Sequence, residues 1–568
     1  PMPADVAQFY LFNNGEGGGK PLGETPSADG ASWETKWWPF GWVGDEERGL
    51  TVAAETPLGW VEPASGKVHE LARRGGEVVW TVRIIGQPTT LTGRTEYVFG
   101  FQATPMKPAR KDLANLVMDS GAWSAGSRYF ERKDMLPNSW PKTLSSVYPD
   151  TPQGIREYRK DLGVDVINLW YNPHRWVCFP ELRSPETVVK PAIEAWHNAG
   201  LKVTAYTSLY FQGYESDVYQ RHADEWSHLR SNGELYCKAF NKIDRNDGSN
   251  RGYVTCCPQS RSFADYMTWG IDYLMRTYDL DGFGFIDNPG PLFCYNENHG
   301  CGPEGEPRWP IFAVRRMAQR WWRVVKKYKP DALLLRHSSE NLFSPGMAYV
   351  DAYMVGEEFR ARVRPLRELD KTRLAVTMTG RQWGAHPMWM SQCSGNPISV
   401  GNSAWVASRI LPYGATSSFG WHDPTWFTAA QKAKESFGVG TEDVTFFAPH
   451  ERPDWLDLTV FRPGDEAAPD WTKNENDPEL VTGCYRHRNG EALVVMSNFG
   501  DTYCTVVMEG APFMEGERFA VVHDAVMEAR IMSAANRFRI GIPSNTFRLL
   551  RIRPAATELP RRKWSFDK

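Results

Sequence analysis

No run of this chain approaches the ~20 consecutive apolar residues that a membrane-spanning helix needs, so no membrane span is expected. Charge of one sign is equally scarce: 65 basic residues stand against 68 acidic ones, a net charge of −3, with no basic block. That balance lacks the electrostatic footprint of a nucleic-acid binder, and no nucleic-acid partner is expected. Cysteine is sparse as well, nine in 568 residues. An odd number leaves at least one thiol unpaired, and so few in so long a chain build no disulfide framework. No CxxC pairs with a second CxxC, so a zinc ribbon is not expected and no metal ligand set is assigned. There is no GxSxG, no HExxH and no dinucleotide fingerprint. The glycines of NGEGGGKPLG (14–23) have no strand before them and no helix after them, which rejects a phosphate loop. No signal peptide opens the chain, although a processed start would look the same. The compartment stays open, with export weighted slightly above the cytoplasm, and the oligomeric state is not readable.

What is abundant is aromatic. Aromatic residues make up 13% of the chain, with 24 Trp, inside a globular balance of 41% hydrophobic and 23% charged residues. Trp faces fill cores and also stack on sugar rings, so the excess leans only mildly toward a carbohydrate partner. The length calls for two to four domains.

Texture divides the chain into three. Residues 1–108 read as an N-terminal β-sandwich: GLTVAAETPLGWVEP, EVVWTVRIIG and RTEYVFGFQATPMKP are strand-length runs rich in Val, Thr and aromatics between turn residues. Residues 436–568 read as a C-terminal β-sandwich, with hairpins in GEALVVMSNFGDTYCTVVMEG and NRFRIGIPSNTFRLLRIRP. Between them, 109–435 alternates apolar strand-like runs with helical patterns. The runs fall at 114–119, 164–171, 201–208, 281–287, 331–337, 349–356, 373–379 and 414–419. Helical periodicity marks SPETVVKPAIEAWHNAG, RSFADYMTWGIDYLMRTYDL and WPIFAVRRMAQRWWRVVKKYKP. Eight such units suit a (β/α)8 TIM barrel better than a doubly wound sheet.

In such a barrel, chemistry belongs on the loops that leave the C-terminal ends of the strands. Asp287 ends the fourth run, in DGFGFIDNPGP, and Glu357 and Glu358 end the sixth, in DAYMVGEEF. Carboxylates on two strand tips can face one ligand, the arrangement that glycoside cleavage requires. Each acid taken alone could equally cap a turn or make a salt bridge. Gly356 lets the chain turn sharply, which favours Glu357 as the acid over Glu358, with Asp287 as nucleophile or base. Two nearby carboxylates repel, and that repulsion keeps one of them protonated. Candidate sugar contacts recur at successive strand ends: Trp170, Tyr171 and His174; Tyr206 and Tyr210; His337; Arg381 and Trp383; Trp421 and His422. Singly, any of these is ordinary packing. DRNDGSN (244–250) offers oxygen donors of the kind calcium takes, without the distal Glu of an EF-hand loop. Asx turns of this composition are common without metal, so calcium is a secondary candidate and no cofactor is expected.

The stretches WWPFGWVGDEERGLTVAAETPLGW, FGFIDNPGPLFCYNENHGCG and DAYMVGEEF resemble a group of glycoside-hydrolase-like proteins related to glycoside hydrolase family 123. The resemblance spans most of 33–430 and is sharpest at Cys294, Asn296, His299, Gly300 and Cys301 and at the Gly356-Glu357 pair. It implies hydrolysis of O-glycosidic bonds in a polysaccharide or glycan. Family 123 enzymes use adjacent Asp and Glu for acetamido-assisted attack, whereas here Asp287 is followed by Asn288. The loop between Cys294 and Cys301 is expected to cover the pocket, with His299 near the substrate. In an exported protein those two cysteines are expected to bond.

Overall fold

The structure, a computed structural model, describes residues 1–13, 21–119, 163–169, 179–180, 189–214, 216–236, 238–239, 252–287, 290–339, 342–359, 369–390, 400–419, 425–462, 477–509, 519–535 and 537–555, with Gln153, Arg156, Arg159 and Lys160. At its centre eight strands run parallel: Met118–Asp119, Val166–Leu169, Lys202–Ser208, Gly282–Asp287, Leu333–His337, Ala352–Val355, His386–Met390 and Thr416–Phe419. Each pairs with the next in chain order. The eighth returns to the first, Met118 opposite Ser418 and Asp119 opposite Phe419, so the sheet curls into a barrel.

Strands buried on both faces read as continuous apolar runs, and the fifth, LLLRH, is buried at every position. Leu333 and Leu335 point inward, onto Met118, Val166, Phe285, Ala352, Met354, Met388 and Met390. Leu334 points outward into the larger core beneath the helices. The principal helices are Lys190–Asn198, Arg261–Tyr278, Ile311–Tyr328, Lys371–Met378, Val400–Ile410 and Thr425–Phe437. Ser260 caps the second, its hydroxyl accepting the Phe263 N–H. The third is capped from another part of the chain: the Glu55 carboxylate accepts the Phe312 N–H, and the Glu55 carbonyl accepts the Trp309 N–H. Among the described residues, only a 3-10 turn, Ser344–Tyr349, links the fifth and sixth strands.

Other sheets flank the barrel. On the N-terminal side a five-stranded and a four-stranded antiparallel sheet share a core of Ala7, Tyr10, Phe12, Val43, Leu71 and Val78. On the C-terminal side a six-stranded and a three-stranded sheet enclose Leu458, Val494, Met496, Val506, Ile540 and Leu550.

One expected strand is a helix. Residues 373–378 lie in the helix Lys371–Met378, which Thr379 ends and Asp370 opens, its side chain accepting the Arg373 N–H. Leu374, Val376 and Met378 alternate as a strand would, but Ala375 and Thr377 between them are buried too. The real seventh strand is HPMWM, disguised by a proline at its second position.

His386 opens that strand and is buried, its Nε2 within 3.0 Å of the Thr416 hydroxyl. Burial pushes its pKa down to about 3 from 6.5, and Lys434 adds to the shift. The unfolded chain therefore takes up a proton below pH 6.5 that the folded chain refuses until about pH 3. Stability falls as pH drops through that window, by about 2 kcal/mol from this group at pH 5. Wild type should lose about that much more than His386→Gln between pH 7 and pH 5 in urea unfolding; equal losses would refute the assignment.

Candidate active site

The fourth strand carries an irregularity that decides where its last side chain points. Its register with the fifth strand shifts between Phe283 and Ile286. Phe283 packs outward under the helices, Phe285 inward with the barrel lining, and Ile286 outward again. Strict alternation from Phe283 would turn Asp287 out of the barrel; the extra residue turns it in. Gly284 permits this, because a Cβ there would lie 2.2 Å from the Thr204 hydroxyl.

Turned inward, Asp287 meets two neighbours among the described residues. The Tyr206 hydroxyl, from the third strand, donates to Oδ2 at 2.8 Å. His337, ending the fifth strand, places Nδ1 2.9 Å from Oδ1. The other nitrogen of the same ring, Nε2, lies 2.9 Å from Glu357 Oε2. That second contact lies at an angle outside hydrogen-bond geometry, and among the described residues Nε2 has no aligned hydrogen-bond partner. One imidazole thus touches both expected carboxylates, which holds them closer than the about 9.5 Å that bounds glycosidase pairs. The Phe285 ring lies 5.5 Å from Tyr206 and 5.0 Å from His337, packing the layer beneath.

Glu357 and Glu358 part company. The Glu357 N–H donates to the Ser339 hydroxyl, and its carboxylate faces His337. Glu358 is buried and folds back, its Oε2 accepting the Gly356 N–H at 2.8 Å. Gly356 has φ +128, and a Cβ there would lie 2.6 Å from the Met390 carbonyl oxygen, so the sharp turn is built on glycine.

Several expected contacts are corrected. Arg381 and Trp383 precede the true seventh strand and so sit at the opposite end of the barrel. Arg381 pairs there with Glu47 and Glu451, and Trp383 is buried against Trp42. The loop GDEERG (44–49), which carries Glu47, accordingly reaches the floor of the barrel. A cavity lined by Ala114, Arg381, His386, Tyr413 and Phe446 opens at that same end, where barrels hold stability and not chemistry. Tyr210 is fully buried, its hydroxyl donating to the Gly290 carbonyl, and offers no face to a ligand. Tyr206 serves Asp287. His299 turns to Cys294 and to the Glu225 carbonyl, not to the Asp287 group. Cys294 and Cys301 are unbonded thiols. They gather instead with Cys257 and His299, four donor atoms within 4.8 Å of one another. Cys257 was missed because it lies in another segment of the chain, and no CxxC advertises the set. Trp170, Tyr171, His174, Trp421, His422 and the DRNDGSN stretch lie outside the described residues.

Residues 109–363 match a family model described as a domain of unknown function, DUF6259. A comparison with the curated proteins gives no match. Among solved structures, the maltogenic α-amylase AmyB from Thermotoga neapolitana aligns at TM-score 0.44 and 11% identity, over 78% of this chain and 99% of that one. The GH36 α-galactosidase AgaB from Geobacillus stearothermophilus aligns at TM-score 0.45 and 10% identity, over 98% of this chain and 75% of that one. The GH27 β-L-arabinopyranosidase Abp from the same organism aligns at TM-score 0.44 and 11% identity, over 75% and 98%.

Proposed function

We propose that the chain is a glycoside hydrolase that cleaves O-glycosidic bonds of a polysaccharide or glycan, with Asp287 and Glu357 as its working carboxylates. The observation that carries this reading is the single imidazole of His337 in contact with both of them. Asp287 is the nucleophile: the Tyr206 hydroxyl and His337 Nδ1 hold one carboxylate oxygen each, which fixes its direction. Glu357 Oε2, 2.9 Å from Nε2 of the same imidazole, belongs to the second carboxylate of this reading. A protonated Glu357 is the general acid that gives its proton to the leaving oxygen. The reading takes the retaining course, through a covalent glycosyl-enzyme, with Glu357 accepting a proton from water in the second step. Acetamido-assisted attack of the family 123 kind fits less well, because Asn288 follows Asp287 and Glu358 is folded back onto Gly356.

A panel of glycans and aryl glycosides with anomer-resolved product detection tests the reading. Expected is one anomeric product of the substrate's own configuration; binding without turnover across the panel would make the barrel a carbohydrate-binding scaffold. The assignment of Glu357 has its own test. Glu357→Gln should slow cleavage of unactivated glycosides by about 100- to 10,000-fold. It should scarcely slow formation of the glycosyl-enzyme from dinitrophenyl glycosides, whose leaving group needs no proton. Equal losses on both substrates would remove Glu357 from the acid role.

A further inference from the structure

We propose that Cys257, Cys294, His299 and Cys301 form a structural zinc site that ties the loop after the fourth barrel strand to the segment entering the helix Arg261–Tyr278. The four donor atoms lie within 4.8 Å of one another, and the three cysteines are buried. The Cys257 and Cys301 sulfurs are 4.0 Å apart, and Cys294 Sγ is 3.4 Å from His299 Nε2. A tetrahedral zinc with Zn–S of about 2.3 Å and Zn–N of about 2.0–2.1 Å separates its ligands by about 3.5–3.8 Å. A disulfide would need its sulfurs about 2.05 Å apart. Three sulfurs with one imidazole is a recurrent closed set for structural zinc.

The surroundings are arranged as they are around a metal. His299 engages the Glu225 carbonyl through Nδ1, which fixes the tautomer and leaves the Nε2 lone pair facing the sulfurs. The Asn296 N–H donates to Cys294 Sγ at 3.4 Å. Asn296 also anchors the loop, its side chain donating to the Asp224 and Ser227 carbonyls. Cys294 is fixed by a two-way backbone bridge to Arg308, and Cys257 by its N–H to the Trp226 carbonyl. Gly300, at φ +82, provides the left-handed turn between His299 and Cys301. Binding zinc displaces the three thiol protons and leaves a net charge of −1 on the site. The site stands independently of the reading of the carboxylates, and it fixes the path of the chain just beyond Asp287.

The test is metal analysis of the full chain purified without chelator. Wild type should carry one zinc per chain. Cys257→Ser and Cys301→Ser should fall to background, while Cys484→Ser, a buried thiol of the C-terminal sheets, should keep its zinc. If the serine variants do not fold, His299→Cys decides: it should retain zinc, and its cobalt-exchanged form should gain sulfur-to-cobalt charge-transfer absorption over wild type. Wild-type protein without stoichiometric zinc even after zinc is added would overturn the proposal. So would a disulfide among the three cysteines by thiol titration, or full zinc in all the serine variants.

Discussion

If the chain works as proposed, Asp287→Asn is expected to lower glycoside turnover by at least about 10,000-fold, since losing the nucleophile costs no less than losing the strongest acid–base group. Affinity for an uncleaved ligand should change little. The substitution keeps the shape of the side chain and its acceptor for the Tyr206 hydroxyl, but it removes the charge that attacks carbon. It also offers His337 an amide where it met a carboxylate. Under a purely structural role for the Asp287–His337–Glu357 group, the variant would lose stability and turnover in proportion. Equilibrium unfolding measured beside kcat separates the two cases. Near-normal stability with turnover intact would end the assignment of Asp287.

The largest expected loss of stability lies on the far side of the same strands. Asp351, just ahead of the sixth strand, has a fully buried side chain that accepts Lys326 Nζ at 2.9 Å, the Leu334 N–H at 2.9 Å and an Arg110 Nη1 contact at 3.4 Å. It joins the helix Ile311–Tyr328, the fifth strand and the segment that enters the barrel. Asp351→Ala leaves the Lys326 ammonium half-buried and the Leu334 N–H without its acceptor. The expected cost is about 3–5 kcal/mol, typical of breaking a buried pair from one side. Urea unfolding of the full chain measures it. A loss under about 1 kcal/mol would mean that Lys326 and Arg110 reach water without strain, as the partners of exposed pairs do.

The sequence made some features legible and hid others for physical reasons. Seven of the eight barrel strands announce themselves because a parallel strand buried on both faces must be apolar nearly throughout, as LLLRH is. The seventh fails because Pro387 breaks the pattern that marks a strand, while a fully buried helix at 371–378 imitates one. That single error carried Arg381 and Trp383 to the wrong end of the barrel. The placement of Asp287 and Glu357 at strand tips was readable because strand ends are readable. The imidazole between them was not, since a contact across neighbouring strands depends on register and leaves no trace in spacing. For the same reason the spacing of Cys294, His299 and Cys301 suggested a small closed loop, when the missing partner was Cys257 on another segment.

The irregular step between Phe283 and Ile286 limits how this chain can change length over generations. Substitutions in that strand alter one side chain at a time, but losing or gaining a single residue beyond the step re-deals every side chain downstream between the two faces of the sheet. Losing Ile286, beyond the step, would slide Asp287 into that residue's outward place among the helices, with every atom of the acid still present. Length, more than composition, is therefore the inherited quantity at this strand. Relatives that keep an acid at the strand tip but have gained or lost one residue between the step and that tip should be read as carrying the acid for another purpose.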